Sequence, residues 1–399
     1  MNVKAYPTAW PYAEAVQKLA RRWQRQQLIS APQMEAIKAA YPLSYYRPHV
    51  FIRVGLFVFT LFGCCAAAGL IPGLLGFQNF NFILLALLCA GGSLLLLEHL
   101  IRESQLYHSG SDNALLYFSL TCLIFAVFYA VGEATPAPYR ASFSLTNPFL
   151  LLALLPTLGL LMAAVIRYAD RWVAAVTYCT YLLLVAGFLL QFAAGRLVLS
   201  FAIMLASAAA YALVLRLARR PDYLYYKPCF DLLKALALIT FYLGGNYLVV
   251  REGNAALSAL TVSRQVPFAP LFHFFTAGIP LLYIVVGLRR PHRTWLIVGL
   301  LALAFSLYTL RFYRALLPPE IAATLAGAVL ISLTVWAFRY LRTPRHGLSA
   351  AAEGDENKDS LLNLESLVVA QTAHAPTPQP RGFEFGGGSS GGGGADGKY

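Results

Sequence analysis

Residues 172–217 read WVAAVTYCTYLLLVAGFLLQFAAGRLVLSFAIMLASAAAYALVLRL, and this apolar run decides the fold class. Only Arg196 and Arg216 carry charge within it. The run is too long for one membrane-spanning helix, because a bilayer core needs about 20 apolar residues. Gly195 and Arg196 offer the only plausible break, so the stretch predicts two consecutive transmembrane helices.

The same pattern extends over most of the 399-residue chain. Hydrophobic residues make up 58% and charged residues 12% of it, whereas soluble domains average about 45–50% and about 25%. A soluble globule cannot bury that much apolar surface, so we predict an all-α, polytopic integral membrane protein with about ten transmembrane helices. The predicted spans are 51–73, 80–101, 114–133, 147–167, 172–194, 196–217, 229–250, 268–288, 294–313 and 319–341. An error of one span would move the C-terminus across the membrane.

Three regions follow from this pattern. Residues 48–342 form the predicted transmembrane domain, and residues 1–47 before it are polar and basic. Residues 343–399 predict a disordered acidic and proline-rich linker that leads into a glycine-rich tail. Within that region LLNLESLVVA (361–370) has the pattern of a short, transient amphipathic helix.

A short helical hairpin is predicted within residues 1–47. Its first helix covers about 11–26, and its second begins after Ser30 and ends before Pro42. Ser30 is a favourable N-cap, and Gln33 stands three residues later, at the spacing of a capping box. The first helix has one apolar face with basic residues around the rest: Ala15, Leu19 and Trp23 against Lys18, Arg21, Arg22 and Arg25.

The charge pattern predicts the orientation in the membrane. The formal net charge is +13, which in a soluble protein would indicate nucleic-acid binding. In a membrane protein, basic residues instead mark the cytoplasmic side of the spans. With ten spans most basic loop residues fall on the side of the N-terminus, with Arg311 and Arg314 as the main exceptions. We therefore predict two cytoplasmic termini, a lipid bilayer as the main partner and no nucleic acid.

The hairpin has a pattern of the form W…LI…Q…I, carried by Trp23, Leu28, Ile29, Gln33 and Ile37. In this it resembles the start of a family of uncharacterised bacterial predicted membrane proteins, which have a short helical segment ahead of many hydrophobic spans. Gln27 stands where that family has glycine. The matching pattern covers some thirty residues. The resemblance implies a location in the bacterial inner membrane and no catalytic residues.

The tail FEFGGGSSGGGGADGKY (383–399) is weakly similar in composition to the glycine-rich C-termini of some TPM-domain membrane proteins. It also contains GxxxxGK at 392–398. A phosphate-binding loop needs Ser or Thr next, with a strand before it and a helix after it. Tyr399 follows here and the sequence ends, so we predict no nucleotide binding.

Polar residues inside the spans are the best candidates for function, because each is costly in lipid. His273 lies in the eighth predicted span and could relay protons, although packing or hydrogen bonding is the commoner role for a lone histidine among aromatic residues. Asn246 lies in the seventh and could bond across a helix interface, which we favour over a substrate site. Asp231 and Lys234 open the seventh span at a spacing that lets them pair, and an interfacial anchor is their commoner role.

Two glycine pairs fall at corresponding positions if the ten spans divide as five plus five. Gly91 and Gly92 lie in the second span, and Gly244 and Gly245 lie in the seventh. An odd number of spans inverts the second half, so the pairs permit an inverted repeat of the kind found in transporters. Paired glycines are also common devices for close helix packing, which we favour here.

No motif for catalysis or metal binding stands out. The cysteines form no CxxC pair, and HSGSDN (108–113) has residue types used in hydrolysis at an ordinary loop spacing. Neither GxSxG nor HExxH occurs. We therefore predict no enzyme activity, no cofactor and no bound metal.

Two functions remain from the sequence alone. The first, slightly favoured by elimination, is a non-catalytic membrane scaffold or sensor whose N-terminal hairpin or C-terminal tail binds a protein partner. The alternative is a secondary transporter of a small molecule with five-plus-five helices. Neither a substrate nor an oligomeric state follows from the sequence.

Overall fold

A computed structural model describes residues 4–75, 81–140, 144–258, 263, 265–289, 293–313 and eight positions between 321 and 339. All of them belong to the first of two compact units, Met1–Ala352 and Glu353–Tyr399. The predicted tenth span at 319–341 lies largely outside the described residues. The predicted linker and tail at 343–399 lie wholly outside them.

The regular elements in this part of the chain are all helices, which confirms the predicted all-α class. A single pair of residues forms an isolated β-bridge, Tyr46 with Leu106. The thirteen helices of the described chain are α1 Ala9–Arg25, α2 Ala31–Ala40, α3 Val50–Leu75, α4 Phe82–Glu103, α5 Ser111–Ala134, α6 Ala137–Arg140, α7 Pro148–Tyr168, α8 Arg171–Leu190, α9 Gly195–Leu217, α10 Tyr223–Gly245, α11 Tyr247–Leu257, α12 Ala269–Arg289 and α13 Arg293–Tyr313.

Nine of the described helices are long and apolar enough to cross a bilayer: α3, α4, α5, α7, α8, α9, α10, α12 and α13. Each overlaps one of the first nine predicted spans, so the protein is a polytopic helical membrane protein. The long run quoted above does divide in two, since α8 ends at Leu190 and α9 begins at Gly195. Helices that are neighbours in sequence pack as pairs, most extensively α4 with α5, α9 with α10 and α12 with α13.

The outer surface of the bundle is strongly apolar. Phe59, Phe62, Leu95 and Leu205 are each more than 70% exposed within the protein alone. A water-soluble monomer rarely presents contiguous apolar surface on this scale. These side chains therefore face lipid.

The predicted seventh span, 229–250, was wrong at both ends. Helix α10 begins earlier, at Tyr223, and ends at Gly245, and the separate helix α11 follows after Asn246. Averaged hydropathy extends a span for as long as apolar residues continue, and Leu248 to Val250 continue the run. It does not detect the change of backbone direction that a capping residue introduces.

The N-terminal hairpin forms as α1 and α2. The capping box confirms its prediction, since the Ser30 backbone N–H donates to Gln33 Oε1 at 2.8 Å. The apolar face of α1 differs from the prediction, because Leu19 and Trp23 remain exposed. The face that packs on the protein consists of Trp10, Ala13, Gln17 and Ala20. Its contacts come from distant parts of the chain, which a helical wheel cannot reveal.

The first residues of the described chain are tied to the ends of three spans. The Ala5 N–H donates to the Arg167 carbonyl at the end of α7, at 2.9 Å. Lys4 forms an ion pair with Asp222, just before α10, at 2.7 Å. The Tyr6 hydroxyl donates to Asp112 Oδ2 in the first turn of α5, at 2.8 Å. This end of the bundle, which carries the N-terminal segment, is called the N-terminal face below.

Asp112 is the centre of a buried hydrogen-bond cluster on the N-terminal face. It is 1% exposed, and it accepts from the backbone N–H groups of His108, Ser109 and Gly110 at 2.7–3.1 Å. These three N–H groups and the Tyr6 hydroxyl compensate the cost of burying its carboxylate. Burial, followed by the proximity of Asp112, raises the pKa of Tyr6, so this phenol stays protonated and donates. Burial lowers the pKa of His108.

Gly110 allows the α4–α5 loop to close around this carboxylate. Its φ is +108°, in the region that favours glycine. A Cβ at this position would clash with the carbonyl oxygen of Arg53 in α3. Only glycine fits both the backbone conformation and the close contact with α3.

We expect Tyr6→Phe to loosen the N-terminal segment. The substitution removes one hydrogen bond to a buried carboxylate, worth about 1.5–3 kcal/mol, so amide hydrogen exchange over residues 4–10 should accelerate at least about tenfold. Tyr12→Phe is the matched control, because Tyr12 is 49% exposed and its variant should exchange like the parent. Equal exchange in both variants would contradict the anchoring role of Tyr6.

Candidate functional site

The turn at Asn246, between the seventh span α10 and the following helix α11, is the most unusual feature of the membrane domain, and it is called the α10–α11 break. Helix α10 ends at Gly245, and Asn246 has an extended backbone with φ −79° and ψ 127°. The Asn246 side chain caps α11, because its Oδ1 accepts from the N–H groups of Leu248 at 3.0 Å and Val249 at 3.3 Å. Because Asn246 is fully buried, the first N–H groups of α11 would otherwise lie inside the protein without an acceptor.

The amide nitrogen of Asn246 links α10 to α13. Its Nδ2 donates to the Tyr242 hydroxyl at 2.8 Å and to Thr309 Oγ1 on α13 at 3.1 Å. Asn246 is 0% exposed, so every polar atom of its side chain is used inside the protein. The structure therefore places Asn246 as both a helix cap and a bond across the α10–α13 interface.

Gly244 and Gly245 permit close helix approach at the break. A Cβ on Gly244 would lie 3.0 Å from Met204 Cγ and 3.3 Å from the Ser200 carbonyl oxygen, both on α9. A Cβ on Gly245 would lie 2.9 Å from Ile279 Cδ1 on α12. The two glycines thus bring α10 against helices on two sides.

His273 lies beside the break. Its ring stacks on Tyr247, the first residue of α11, with 4.0 Å between ring centroids and 30° between the planes. The Tyr247 N–H donates to Thr276 Oγ1 on α12 at 2.9 Å. His273 itself is exposed on the outside of the bundle, so the structure gives it an aromatic contact at the edge of the site.

A cavity of about 460 Å³ lies beside the break. Cavities that bind small molecules have volumes of about 300–1,000 Å³. Helices α9, α10 and α11 and the segment before α12 form its walls. Most of the lining is apolar, and the polar side chains in it are Arg196, Ser200, Thr240 and Asn254.

A cluster of hydroxyl groups lies behind the cavity wall. Tyr178, Ser207 and Thr240, on α8, α9 and α10, bond to one another, with 2.8 Å between Ser207 Oγ and Thr240 Oγ1. Ser207 is fully buried, and Thr240 also lines the cavity. No motif in the sequence pointed to this cluster. Hydroxyl groups in helices commonly bond to their own backbone, as Ser207 also does to Ile203.

The remaining residues singled out by sequence lie elsewhere. Asp231 and Lys234 form an ion pair at 3.0 Å, about 20 Å along the helix from Asn246. Because α10 begins at Tyr223, the pair lies in the middle part of the helix and not at its opening, where the sequence predicts it. A Cβ on Gly91 or Gly92 would meet no atom within 4 Å, so the structure gives this pair no packing contact.

Helix α4, which carries the Gly91–Gly92 pair, runs unbroken from Phe82 to Glu103. The first half of the span series therefore has no counterpart of the α10–α11 break in α4. The correspondence of the two glycine pairs in sequence does not extend to their structures.

The arrangement at the break is suited to binding. Among the described residues, no three His, Cys, Asp or Glu side chains come together as a metal site requires. The cavity combines apolar walls, hydroxyl and amide groups, and the guanidinium group of Arg196. These groups can hold a small molecule through apolar contact, hydrogen bonds and one positive charge.

Comparison with known proteins gives no relative: no family model matches the chain, and no curated protein or solved structure is similar to it. The resemblance of the N-terminal hairpin to an uncharacterised bacterial family therefore stays a prediction.

We expect Asn246→Ala to destabilise the membrane domain by about 2–4 kcal/mol, from the lost cap and the buried groups left unpaired. Asn81→Ala is a matched control, because Asn81 caps α4 at an exposed position and its loss should cost only about 1 kcal/mol. Thermal unfolding of the purified proteins in detergent measures both. Equal melting temperatures for the two variants would contradict the role of Asn246.

Proposed function

We propose that the protein is a secondary transporter of a small amphipathic molecule, with the cavity beside the α10–α11 break as its binding site. The observation that carries the proposal is the start of α11 beside the cavity. Many transporters bind substrate where the end of a helix faces a cavity between the spans. Here α11 begins at Tyr247, directly after its capping residue Asn246, and its residues Val249 and Val250 line the cavity wall.

The lining favours a ligand with an apolar body and an acidic group. The apolar walls suit the body of such a molecule, and the hydroxyl groups of Ser200 and Thr240 are available for hydrogen bonds. Arg196 supplies positive charge, and none of the described lining residues is acidic. A small organic carboxylate therefore fits the chemistry better than an amine.

A test of transport that needs no substrate uses cysteine accessibility. Ser200→Cys is a nearly isosteric change in the cavity wall, made in a chain whose six cysteines are first replaced by alanine or serine. A transporter exposes its binding site alternately to the two sides of the membrane. We therefore expect a membrane-impermeant maleimide to label the Ser200→Cys variant in both right-side-out and inverted vesicles.

Two glycine variants serve as controls for this labelling. Gly253 lines the cavity, and a Cβ there meets no atom within 4 Å, so Gly253→Leu should fill the cavity and slow the labelling from both sides. Gly159→Leu adds the same side chain at an equally open position on α7 and should leave labelling unchanged. Labelling from one side only would contradict transport and favour a sensor.

A non-catalytic scaffold or sensor is the second candidate. It is supported by the attachment of the N-terminal segment to the ends of α5, α7 and α10 through Tyr6, Ala5 and Lys4. A displacement of that segment would break its contacts with the ends of three spans. Deletion of 347–399 should abolish a scaffold function that depends on the tail, while leaving transport unchanged.

We further propose that the protein lies in a bacterial inner membrane with both termini in the cytoplasm. The excess of basic residues in loops on the side of the N-terminus supports this orientation. It requires an even number of spans, and therefore a tenth span after the nine in the described residues.

Reporter fusions test this topology. Fluorescent protein fused after Arg345 should fluoresce, and alkaline phosphatase fused after Arg196 and after Arg264 should be active, because the first position is then cytoplasmic and the other two periplasmic. The reciprocal fusions at each position serve as controls. Active phosphatase after Arg345 would mean an odd number of spans and would overturn the proposed orientation.

A further inference from the structure

Two stripes of side chains run along helix α1, and only one of them packs against the protein. The packed stripe is that of Trp10, Ala13, Gln17 and Ala20, all buried. The second stripe consists of Tyr12, Val16, Leu19 and Trp23. Its three largest members, Tyr12, Leu19 and Trp23, are 49%, 45% and 40% exposed. Since a helix turns about 100° per residue, the exposed stripe lies about a third of a turn from the packed one.

Positive charge accompanies the exposed stripe. Helix α1 carries four basic residues, and its one acidic residue, Glu14, is paired with Arg47 at 2.6 Å. Lys18 is exposed. It lies about a third of a turn from the exposed stripe, in the direction away from the packed stripe. A helix of this composition has the features of one that lies in the surface of an anionic membrane, with its basic side chains reaching toward the headgroups.

One aromatic contact connects the stripe to the segment that leads into the first span. The Tyr12 ring contacts the Tyr41 ring, with 5.9 Å between centroids. Tyr41 and Tyr46 are themselves exposed, and α3, the first span, begins at Val50. Trp and Tyr concentrate at the membrane–water interface. The stripe therefore packs, through Tyr12, on a segment whose exposed tyrosines come shortly before the first span.

We propose that α1 binds the surface of the membrane that the protein spans, with the stripe Tyr12–Val16–Leu19–Trp23 in the headgroup region and the basic side chains on anionic phospholipid headgroups. The exposed tyrosines in the segment before α3 and the positive charge of α1 favour a lipid surface over a protein partner. This contact does not depend on transport at the α10–α11 break.

Hydrogen exchange of the full-length protein in nanodiscs tests the proposal. One disc contains phosphatidylcholine alone, and the other contains phosphatidylcholine with phosphatidylglycerol. We expect the amides of α1 to exchange at least about fivefold more slowly in the anionic disc, since one basic residue near such a surface contributes about that factor. Raised salt should remove the difference, because it screens exposed charges.

Charge reversal separates a lipid contact from a general effect of the disc. Lys18→Glu should reduce the difference between the two discs at least about fivefold, because it removes one of the four positive charges of α1 and adds a negative one. Lys38→Glu makes the same change on α2, where Lys38 is paired with Glu35, and should preserve it. Thermal unfolding of both variants should match the parent, because both side chains lie at the surface.

Three outcomes would overturn the proposal. They are equal exchange of α1 in the two discs, a difference that Lys18→Glu leaves unchanged, and slow exchange that appears only after another protein is added. The last result would assign the stripe to a protein partner.

Discussion

In a bilayer core, every backbone N–H and C=O must find a partner within the protein, and the architecture described here depends on that constraint. An unbroken helix satisfies it by itself, and the nine described spans are of that kind. The exceptional place is the end of the seventh span, because the chain turns at Asn246 and a second helix, α11, begins at Tyr247 among the other spans. The turn is tolerated since the Asn246 side chain supplies the acceptor that the first N–H groups of α11 need.

The same residue explains why the surrounding helices are arranged as they are. Its amide nitrogen bonds to Thr309, which draws α13 against the break. Gly244 and Gly245 remove the side chains that would hold α9 and α12 away. A cavity remains where α11 departs from the axis of α10, and polar groups of α9 and α10 face it. The turn at Asn246, with α11 capped by its side chain, thus leaves the space in which a ligand can bind.

Hydropathy predicted the nine described spans well, because a bilayer imposes both length and composition. It could not predict the break at Asn246, because an asparagine among apolar residues contributes the same value to the mean hydropathy whether it caps a helix or lies within one. The partners of Asp112 and Ser207 were equally hidden, because several of them are residues distant in sequence. On α1 the sequence indicated an amphipathic helix, but it did not reveal which face packs on the protein.

The attachment of the N-terminal segment has a consequence for how the protein is made. Lys4 pairs with Asp222, and Ala5 bonds to Arg167. The N-terminal segment is synthesised before every described span, whereas these partners are synthesised much later. Domains generally form in the order of synthesis, yet here this early segment completes its contacts only after α10 has begun to emerge. The contacts of the N-terminal segment can therefore form only after more than half of the described spans have been synthesised.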